Sequence, residues 1–474
     1  MSNKARNIII LIVVFQVILT IGIFALPHAV RALPGYHQVR LQNHRYTAPV
    51  MELITTPIAT ALPVAAQSRD SQVEVAELPV IPGLDQDSIV RPAVAAAPTA
   101  TPTEVSPQVE PVQVEGEPEP DAAAEPSPTP TQTPTPAPTA TPEPLPSRVY
   151  LEGLEVVVQG FNNCGPANLS IVLNYFGDPT TQEEAAAYLK PNREDRNVSP
   201  WQIGDYVNEF TDLRAITRSG GNIEMLKQFI ASGIPVVIEK GYEPSPAQGW
   251  YGHYLTVYGY DEEKQEFYSR DTDAGPFNGR PRIDSYEELE FWWQQFNYTF
   301  YVIFPPERES RVMAIIPEYL HDNVSMWEFT TELANQEIAK DPDNVFAWLN
   351  RGVSQTRLGE ITGEMSYYEN GASDFDRARD IGLPPRTLYY EHRPFMAYLR
   401  VGRIDEIMNL TDALLATSGG PWVEEIHWYR GHALAAQGRL SEARDSYIKA
   451  LEVNENFYPA QTSLDWVNSV LSGG

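Results

Sequence analysis

The sequence predicts an α+β domain over residues 148–306, followed by an all-α region over residues 311–474. Two observations indicate this fold class. In the first stretch, apolar residues at helical spacing precede runs of β-branched and aromatic residues that are typical of an antiparallel sheet. In the second stretch strand-like runs are absent, and helical segments alternate with turn residues. A chain of 474 residues is also too long for a single hydrophobic core.

Residues 1–30 form a separate segment that predicts export. Lys4 and Arg6 precede nineteen uncharged residues, 8–26, which are long enough to cross a bilayer as a helix. The positive flank predicts a cytoplasmic N-terminus and an extracytoplasmic remainder. We interpret the segment as a membrane anchor that holds the protein at the cell surface. A cleaved signal peptide is the alternative, and the protein would then be secreted.

Residues 31–147 have no periodic apolar pattern, and their second half consists mainly of Pro, Thr, Ala, Glu and Val. Such a composition buries too little apolar surface to offset the entropy of ordering a chain. Alternating prolines, as in residues 126–138, favour an extended backbone. We expect a disordered linker that holds the folded part away from the membrane. A Pro-rich docking segment for a partner is the alternative.

The composition excludes some classes of partner. A net charge of −29, from 34 basic and 63 acidic residues, argues against nucleic acid and against an anionic membrane surface. The single cysteine rules out an intrachain disulfide. We expect no cofactor and no metal ion.

The elements of the α+β domain follow from local signals. Thr181–Glu184 resembles a capping box, and Ser199 followed by Pro200 is typical of a helix start. These signals and the apolar spacing predict helices near 168–176, 181–189, 199–210 and 222–232. Strands are expected near 149–158, 235–239, 254–260, 266–270 and 298–304.

The all-α region carries a repeat signal. Gly359, Gly402 and Gly438 are each interpreted as a turn between two helices. The last unit has small residues at Gly431, Ala443 and Ala450, as tetratricopeptide repeats do where paired helices pack closely. We therefore expect tetratricopeptide-like repeats, which commonly bind a protein partner. An unrelated helical bundle is the alternative.

Cys164, the only cysteine, follows two asparagines at the start of a predicted helix. The positive end of the helix dipole and the free N–H groups of the first turn favour a thiolate there. Because the thiolate is the nucleophilic form, this position indicates catalysis. A cysteine retained only for packing is the alternative.

A cysteine nucleophile needs a base and a group that orients the base. His253 is the only histidine between residues 148 and 305. If the next turn centres near residues 262–263, paired residues have numbers that sum to 525–527, so His253 faces residues 272–274. Asp271 and Asp273 are both in reach. We choose Asp271 and assign Asp273 to an Asx turn. A calcium loop is a third interpretation of this acidic run.

Acyl transfer also needs hydrogen-bond donors for the developing oxyanion. The backbone N–H of Cys164 is one candidate. The side-chain amide of Gln159, five residues upstream, is the second. A solvent-facing glutamine is the alternative.

Five short motifs resemble the C39-like group of papain-fold cysteine peptidases, which is related to the peptidases that cut double-glycine leaders from bacteriocins. The motifs are Gln159, residues 163–167, residues 252–254, residues 259–261 and the strand-end Asp271. The resemblance covers about one third of the chain and implies a papain-like fold. It implies Cys164 as nucleophile, His253 as base, Asp271 as its orienter and Gln159 as oxyanion donor. The chain departs from the family pattern at Thr272, where proline is usual.

Three functions use these residues. The leading hypothesis is an exported, membrane-tethered cysteine peptidase that hydrolyses peptide or protein substrates, with helical repeats that bind a protein partner. The second is a catalytically silent binding or scaffold protein with a peptidase fold. The third is an acyltransferase that passes the acyl group from the same cysteine to an amine.

Overall fold

The structure is a computed structural model that describes residues 16, 62–63, 144–244 and 248–473. Almost all of the predicted anchor, 1–30, and of the predicted linker, 31–147, lies outside the described residues. Within the described part of the chain, no helix combines the length and the mean hydropathy needed to cross a bilayer.

The first part of the chain contains seven strands and five α-helices. The strands are β1 (Arg148–Tyr150), β2 (Arg214–Arg218), β3 (Val236–Tyr242), β4 (Tyr251–Asp261), β5 (Glu266–Arg270), β6 (Arg282–Ser285) and β7 (Phe300–Phe304). The helices are α1 (Cys164–Tyr175), α2 (Gln182–Leu189), α3 (Pro200–Phe210), α4 (Ile223–Ala231) and α5 (Tyr286–Gln294).

All seven strands form one antiparallel sheet in the order β2-β7-β3-β4-β5-β6, and β1 pairs with the second half of β4. In the β4–β5 hairpin, Thr256 pairs with Arg270 and Tyr260 pairs with Phe267. The paired numbers therefore sum to 526 and then 527, and the shift occurs at an irregularity between Val257 and Gly259. The predicted hairpin register is confirmed.

Local signals explain most of the helix starts. Thr181 and Ser199 each form a complete capping box, and Asn222 caps α4. The predicted strand at 149–158 is wrong beyond Tyr150, because the chain leaves the sheet there and runs to the start of α1. The sequence interpretation also missed β2, β6 and α5.

The second part of the chain is helical throughout its described length. It contains α6 (Glu309–Ile315), α7 (Asn323–Lys340), α8 (Val345–Thr362), α9 (Met365–Ile381), α10 (Arg393–Arg400), α11 (Ile404–Leu415), α12 (Glu424–Ala436), α13 (Leu440–Val453) and α14 (Tyr458–Leu471). Short 3₁₀ turns, among them Pro385–Tyr389 and Gly420–Trp422, connect some of these helices.

Glycines in this helical region have two different uses. Gly402 and Gly438 adopt positive φ angles of 73° and 74° in turns between helices, as predicted. The interpretation of Gly359 as a turn is wrong, because it lies inside α8, and the helix ends at Gly363 with φ 76°. An added Cβ at Gly359 would lie 2.9 Å from the ring of Tyr368, so this glycine allows α8 and α9 to pack closely.

An aromatic stack joins the two parts of the chain. Trp250, which precedes β4, stacks on Phe296 with ring centroids 5.6 Å apart and on Phe346 of α8 at 5.7 Å. Asn350 of α8 donates a hydrogen bond to Gln294 O at 2.7 Å. The helical region thus packs against the sheet domain close to the start of β4, and residues 146–473 belong to one compact unit.

Candidate active site

Cys164 is the first residue of α1, and its side chain is half-buried. Asn163, the residue before it, makes no side-chain cap hydrogen bond to the helix. The N–H groups of Cys164 and Gly165 therefore lie in the first turn without intrahelical partners. The positive partial charge of this helix terminus stabilises negative charge on the sulfur and on any oxyanion that forms beside it.

The loop before Cys164 is held by side chains of α2 and its C-terminus. Gln182 Oε1 accepts hydrogen bonds from Gly160 N at 2.9 Å and from Asn163 Nδ2 at 3.1 Å. The buried Lys190 donates to Asn162 O at 3.2 Å, and Asn162 has a φ of 55°, a conformation that asparagine tolerates better than most residues. These contacts fix the backbone of the loop that leads to Cys164.

His253 lies near the start of β4 and is 4% exposed. Its Nε2 is 3.0 Å from Asp271 Oδ1, and Cys164 is among the groups that raise the pKa of the same imidazole. Because Nε2 faces the carboxylate, Nδ1 is the ring nitrogen that remains for another partner. The structure therefore brings Cys164, His253 and Asp271 together in the order that the sequence predicts.

The side chain of Asp271 is fully buried, and its carboxylate contacts only hydrogen-bond donors. Oδ1 accepts from the backbone N–H of Asp273 at 3.0 Å and of Ala274 at 2.9 Å, in addition to His253. Oδ2 accepts from Arg282 Nη1 at 3.0 Å. The Asx turn assigned to Asp273 is thus formed by Asp271, and the exposed Asp273 contributes only its backbone.

This arrangement shifts the pKa of both groups. Burial alone would lower the pKa of His253, but the charge and hydrogen bond of Asp271, together with Cys164, raise it to about 9. Burial opposes ionisation of Asp271, and His253, Ala274 N–H and Arg282 outweigh it, so the pKa of Asp271 lies far below its ordinary value. The geometry favours a charged imidazolium next to a carboxylate at neutral pH.

Gln159 is positioned by Thr272. The backbone N–H of Gln159 donates to Thr272 O at 2.9 Å, and the Thr272 hydroxyl donates to Gln159 Oε1 at 2.8 Å. The Thr272 hydroxyl in turn accepts from Asn168 Nδ2 at 3.3 Å. Because Oε1 is occupied, Nε2 remains as the donor of the Gln159 side chain.

Asn168 connects Gln159 and Thr272 to Cys164. Its Nδ2 also donates to Cys164 O at 2.9 Å and to Tyr254 O at 3.2 Å, and its Oδ1 accepts from Thr256 at 2.6 Å. Asn168 is fully buried, so this network ties the first turn of α1 to β4.

Three supporting residues were not found from the sequence. Asn168 lies one helical turn after Cys164 within an apolar run. A polar residue at such a position could have indicated a buried hydrogen-bond network. Thr272 was visible only as a departure from the family pattern. Arg282 lies on β6, which the sequence interpretation missed, so nothing pointed to its contact with Asp271.

Among the residues that the structure describes, no three or more His, Cys, Asp or Glu side chains are arranged as ligands for a metal ion. The acidic run Asp271–Asp273, for which a calcium loop was one interpretation, binds His253 and Arg282 through Asp271.

Comparison with known proteins agrees with the resemblance seen in the sequence. The model of the Peptidase C39-like family matches residues 150–300. Among solved structures, a protein from Bacillus anthracis described as a C39-like peptidase is 18% identical, with 33% of this chain and 96% of that chain covered and a TM-score of 0.27. No curated protein matches the chain. Residues 150–300 are thus similar to the Peptidase C39-like family, and a helical region follows them.

Proposed function

We propose that this protein is a cysteine peptidase in which Cys164 is the nucleophile, His253 the general base and Asp271 the group that orients the imidazole. The observation that carries the proposal is the 3.0 Å contact between His253 Nε2 and Asp271 Oδ1, made by a buried histidine whose pKa Cys164 also raises. A cysteine that only fills space in the core would not need a buried histidine nearby that is hydrogen-bonded to a buried carboxylate.

The proposed reaction follows from these positions. His253 holds the proton of Cys164, and the thiolate attacks the carbonyl carbon of the substrate. The N–H of Cys164 and Nε2 of Gln159 bind the resulting oxyanion. His253 then gives its proton to the leaving amine, and an acyl-enzyme remains. Water, deprotonated by His253, releases the acid and regenerates the thiol.

Rates of hydrolysis and of thiol labelling in the wild type, Cys164→Ala and His253→Ala test this function. We expect Cys164→Ala to abolish peptide hydrolysis while circular dichroism and thermal unfolding stay at wild-type values. Iodoacetamide should label Cys164 in the wild type faster than it labels a free thiol at pH 7, because His253 stabilises the thiolate. His253→Ala should slow this labelling. Hydrolysis that persists in Cys164→Ala would contradict the proposal.

We further propose that the chain is exported and tethered to the membrane through residues 8–26, with residues 31–147 as a linker. The supporting features are the uncharged length of 8–26 and the basic residues before it. Membrane fractionation tests this, together with protease treatment of intact cells. Recovery of the full-length chain only in the cytoplasmic fraction would contradict it.

The helical region is proposed to be built from tetratricopeptide-like repeats that bind a protein partner. Support comes from small residues at helix contacts, since Gly352 and Gly359 of α8 face the rings of Phe375 and Tyr368 of α9. Crosslinking of the full-length protein in its own cells, followed by mass spectrometry, would identify a partner. Crosslinks confined to the chain itself would argue against this role.

A further inference from the structure

A cavity of about 110 Å³ lies between the sheet domain and the helical region. Residues of both parts line it, among them Glu239 of β3, Phe296 after α5, Asn350 of α8 and Trp428 of α12. A single water molecule needs about 10–15 Å³ of such space, and an engineered cavity of about 150 Å³ binds benzene. The cavity therefore has room for a compact organic group of about five or six non-hydrogen atoms.

Glu239 brings a buried carboxyl group to this cavity. It is 6% exposed, and its side chain has no hydrogen-bond or ion-pair partner among the residues that the structure describes. Its backbone is fixed in the sheet, where its N–H donates to Thr299 O at 3.1 Å. Burial raises the pKa of Glu239 well above its usual value, and the charges of Glu391 and of a Cys164 thiolate raise it further. The described part of the chain thus supplies no donor that compensates for the burial of this carboxyl group.

Three further side chains of the lining carry buried polar atoms without hydrogen-bond partners. These atoms are His392 Nε2, Glu425 Oε2 and Thr387 Oγ1, and the statement covers the described residues. Burial and the charge of Arg393 lower the pKa of His392 to about 3, so its imidazole is neutral at pH 7 and balances no carboxylate. Together with Glu239, these side chains leave unused hydrogen-bonding capacity around one cavity, which is rare in a folded protein.

The lining carries an excess of acidic groups. It holds four carboxyl groups and two guanidinium groups, which belong to Glu239, Glu360, Glu391, Glu425, Arg357 and Arg393. Glu360 forms ion pairs with both arginines, at 3.2 Å to Arg357 Nη1 and 3.1 Å to Arg393 Nε. Within the described part of the chain, the other three glutamates form no ion pair with an arginine or a lysine. The charge of the lining therefore favours a cationic ligand.

Aromatic rings form much of the remaining wall. Phe296 and Tyr390 have ring centroids 6.0 Å apart, and Trp201 and Trp327 have ring centroids 6.2 Å apart. The faces of such rings attract organic cations, and Arg357 Cζ already lies 5.8 Å and 5.7 Å from the two tryptophan rings. No three His, Cys, Asp or Glu side chains of the described residues are arranged as metal ligands. The lining thus favours an organic cation over a metal ion.

We propose that this cavity binds a primary ammonium group on a short alkyl chain, with Glu239 as the counter-ion. An ammonium group has three donors. Acceptors without a partner are available in the lining on Glu239, Glu425 and His392, and the rings contact the alkyl chain. A free alkylamine and the lysine side chain of a peptide both present this group. The site is independent of the peptidase function proposed above.

Calorimetric titrations of full-length Cys164→Ala test the site, because binding is then measured without any hydrolysis. n-Butylammonium is compared with 1-butanol, which has the same number of non-hydrogen atoms and no charge. Nα-Acetyl-lysine amide is compared with Nα-acetyl-norleucine amide, which lacks the ammonium group. We expect one cation to bind about 10- to 100-fold more tightly than its neutral counterpart, as charge-assisted hydrogen bonds allow. The pair with the larger ratio identifies the source of the ammonium group.

Tryptophan fluorescence locates the ligand, since Trp201, Trp327 and Trp428 line the cavity. The favoured cation should change this fluorescence over the same concentration range as in calorimetry. Equal affinities within both pairs, or no saturable binding of either cation, would overturn the site. Because neither measurement uses catalysis, an inactive enzyme would leave this result intact.

Glu239→Gln in the same background should bring the ratio between cation and neutral counterpart close to one. The substitution keeps the shape of the side chain and removes a buried carboxyl group, so thermal unfolding should not fall below that of the parent. Glu287→Gln, which changes an exposed glutamate of α5, is the matched control and should leave the ratio unchanged. An unchanged ratio in folded Glu239→Gln would overturn the role of Glu239. If this variant does not fold, the comparison in the parent protein still decides.

Discussion

Thr272 offers a sharp test of the oxyanion arrangement, because its hydroxyl joins Gln159 to the buried network around Asn168. Thr272→Val keeps the shape of the side chain and removes the 2.8 Å hydrogen bond to Gln159 Oε1. Complete loss of an oxyanion donor costs roughly 10²–10³-fold in kcat. In Thr272→Val, Nε2 of Gln159 remains present as a donor, and only the hydrogen bond that orients it is lost. The loss of one such hydrogen bond costs about 0.5–1.5 kcal/mol.

We therefore expect kcat of Thr272→Val to fall about 3- to 10-fold with little change in KM. Asn168 keeps its bonds to Cys164 O and Tyr254 O, so thermal unfolding should change little. Thr272→Ser, which restores the hydroxyl, is the matched control and should recover most of the rate.

A double-mutant cycle separates positioning from a general structural effect. In a Gln159→Ala background, Thr272→Val should have no further effect on kcat, because the group that it orients is gone. If Thr272→Val lowers kcat by the same factor in both backgrounds, Thr272 does not act through Gln159, and the reasoning is wrong.

Three further predictions concern pH and packing. With a His253 pKa of about 9, kcat/KM should fall as the pH rises through 9, and Asp271→Asn should move this alkaline limb to lower pH; a limb that stays in place would contradict the assignment. Burial raises the pKa of Glu424 from 4.5 in the unfolded chain to about 6 in the folded protein. Below pH 4.5 the carboxyl is neutral in both states and does not affect stability. As the pH rises from 4.5 through 6, ionisation of the carboxyl increasingly disfavours the folded state. Glu424→Gln should therefore stabilise the protein at pH 8 by about 2 kcal/mol in urea unfolding and should have no such effect at pH 4. Gly252→Ala should destabilise the protein by about 1–3 kcal/mol and slow hydrolysis, because its Cβ would lie 2.7 Å from the Phe296 ring; wild-type urea unfolding would show that the ring moves aside freely.

The Cys164, His253 and Asp271 constellation could be predicted because each step depends on local sequence. A helix start follows from the residues around it, and a hairpin pairs residues whose numbers have a nearly constant sum. The one-residue shift between Val257 and Gly259 moved that sum from 527 to 526, which was within the predicted range.

Contacts between distant segments could not be predicted in this way. Arg282 reaches Asp271 only because β6 pairs with β5 after a long connection, and the sequence of β6 is too short to give a clear strand pattern. The packing of Phe346 on Trp250 depends on how two separately folded surfaces match, and the periodicity of neither surface encodes that match. Gly359 was misread because a glycine inside a helix contact and a glycine in a turn look alike in one sequence.

The aromatic stack of Trp250, Phe296 and Phe346 has a consequence for limited proteolysis of the protein. A protease that nicked the chain between β7 and α6 would not separate the two parts, because the stacked rings of Trp250 and Phe346 come from opposite sides of that junction. Both parts should melt in one cooperative transition, with a heat-capacity change that includes their shared apolar surface. A chain nicked at this junction is therefore expected to elute as one species in gel filtration.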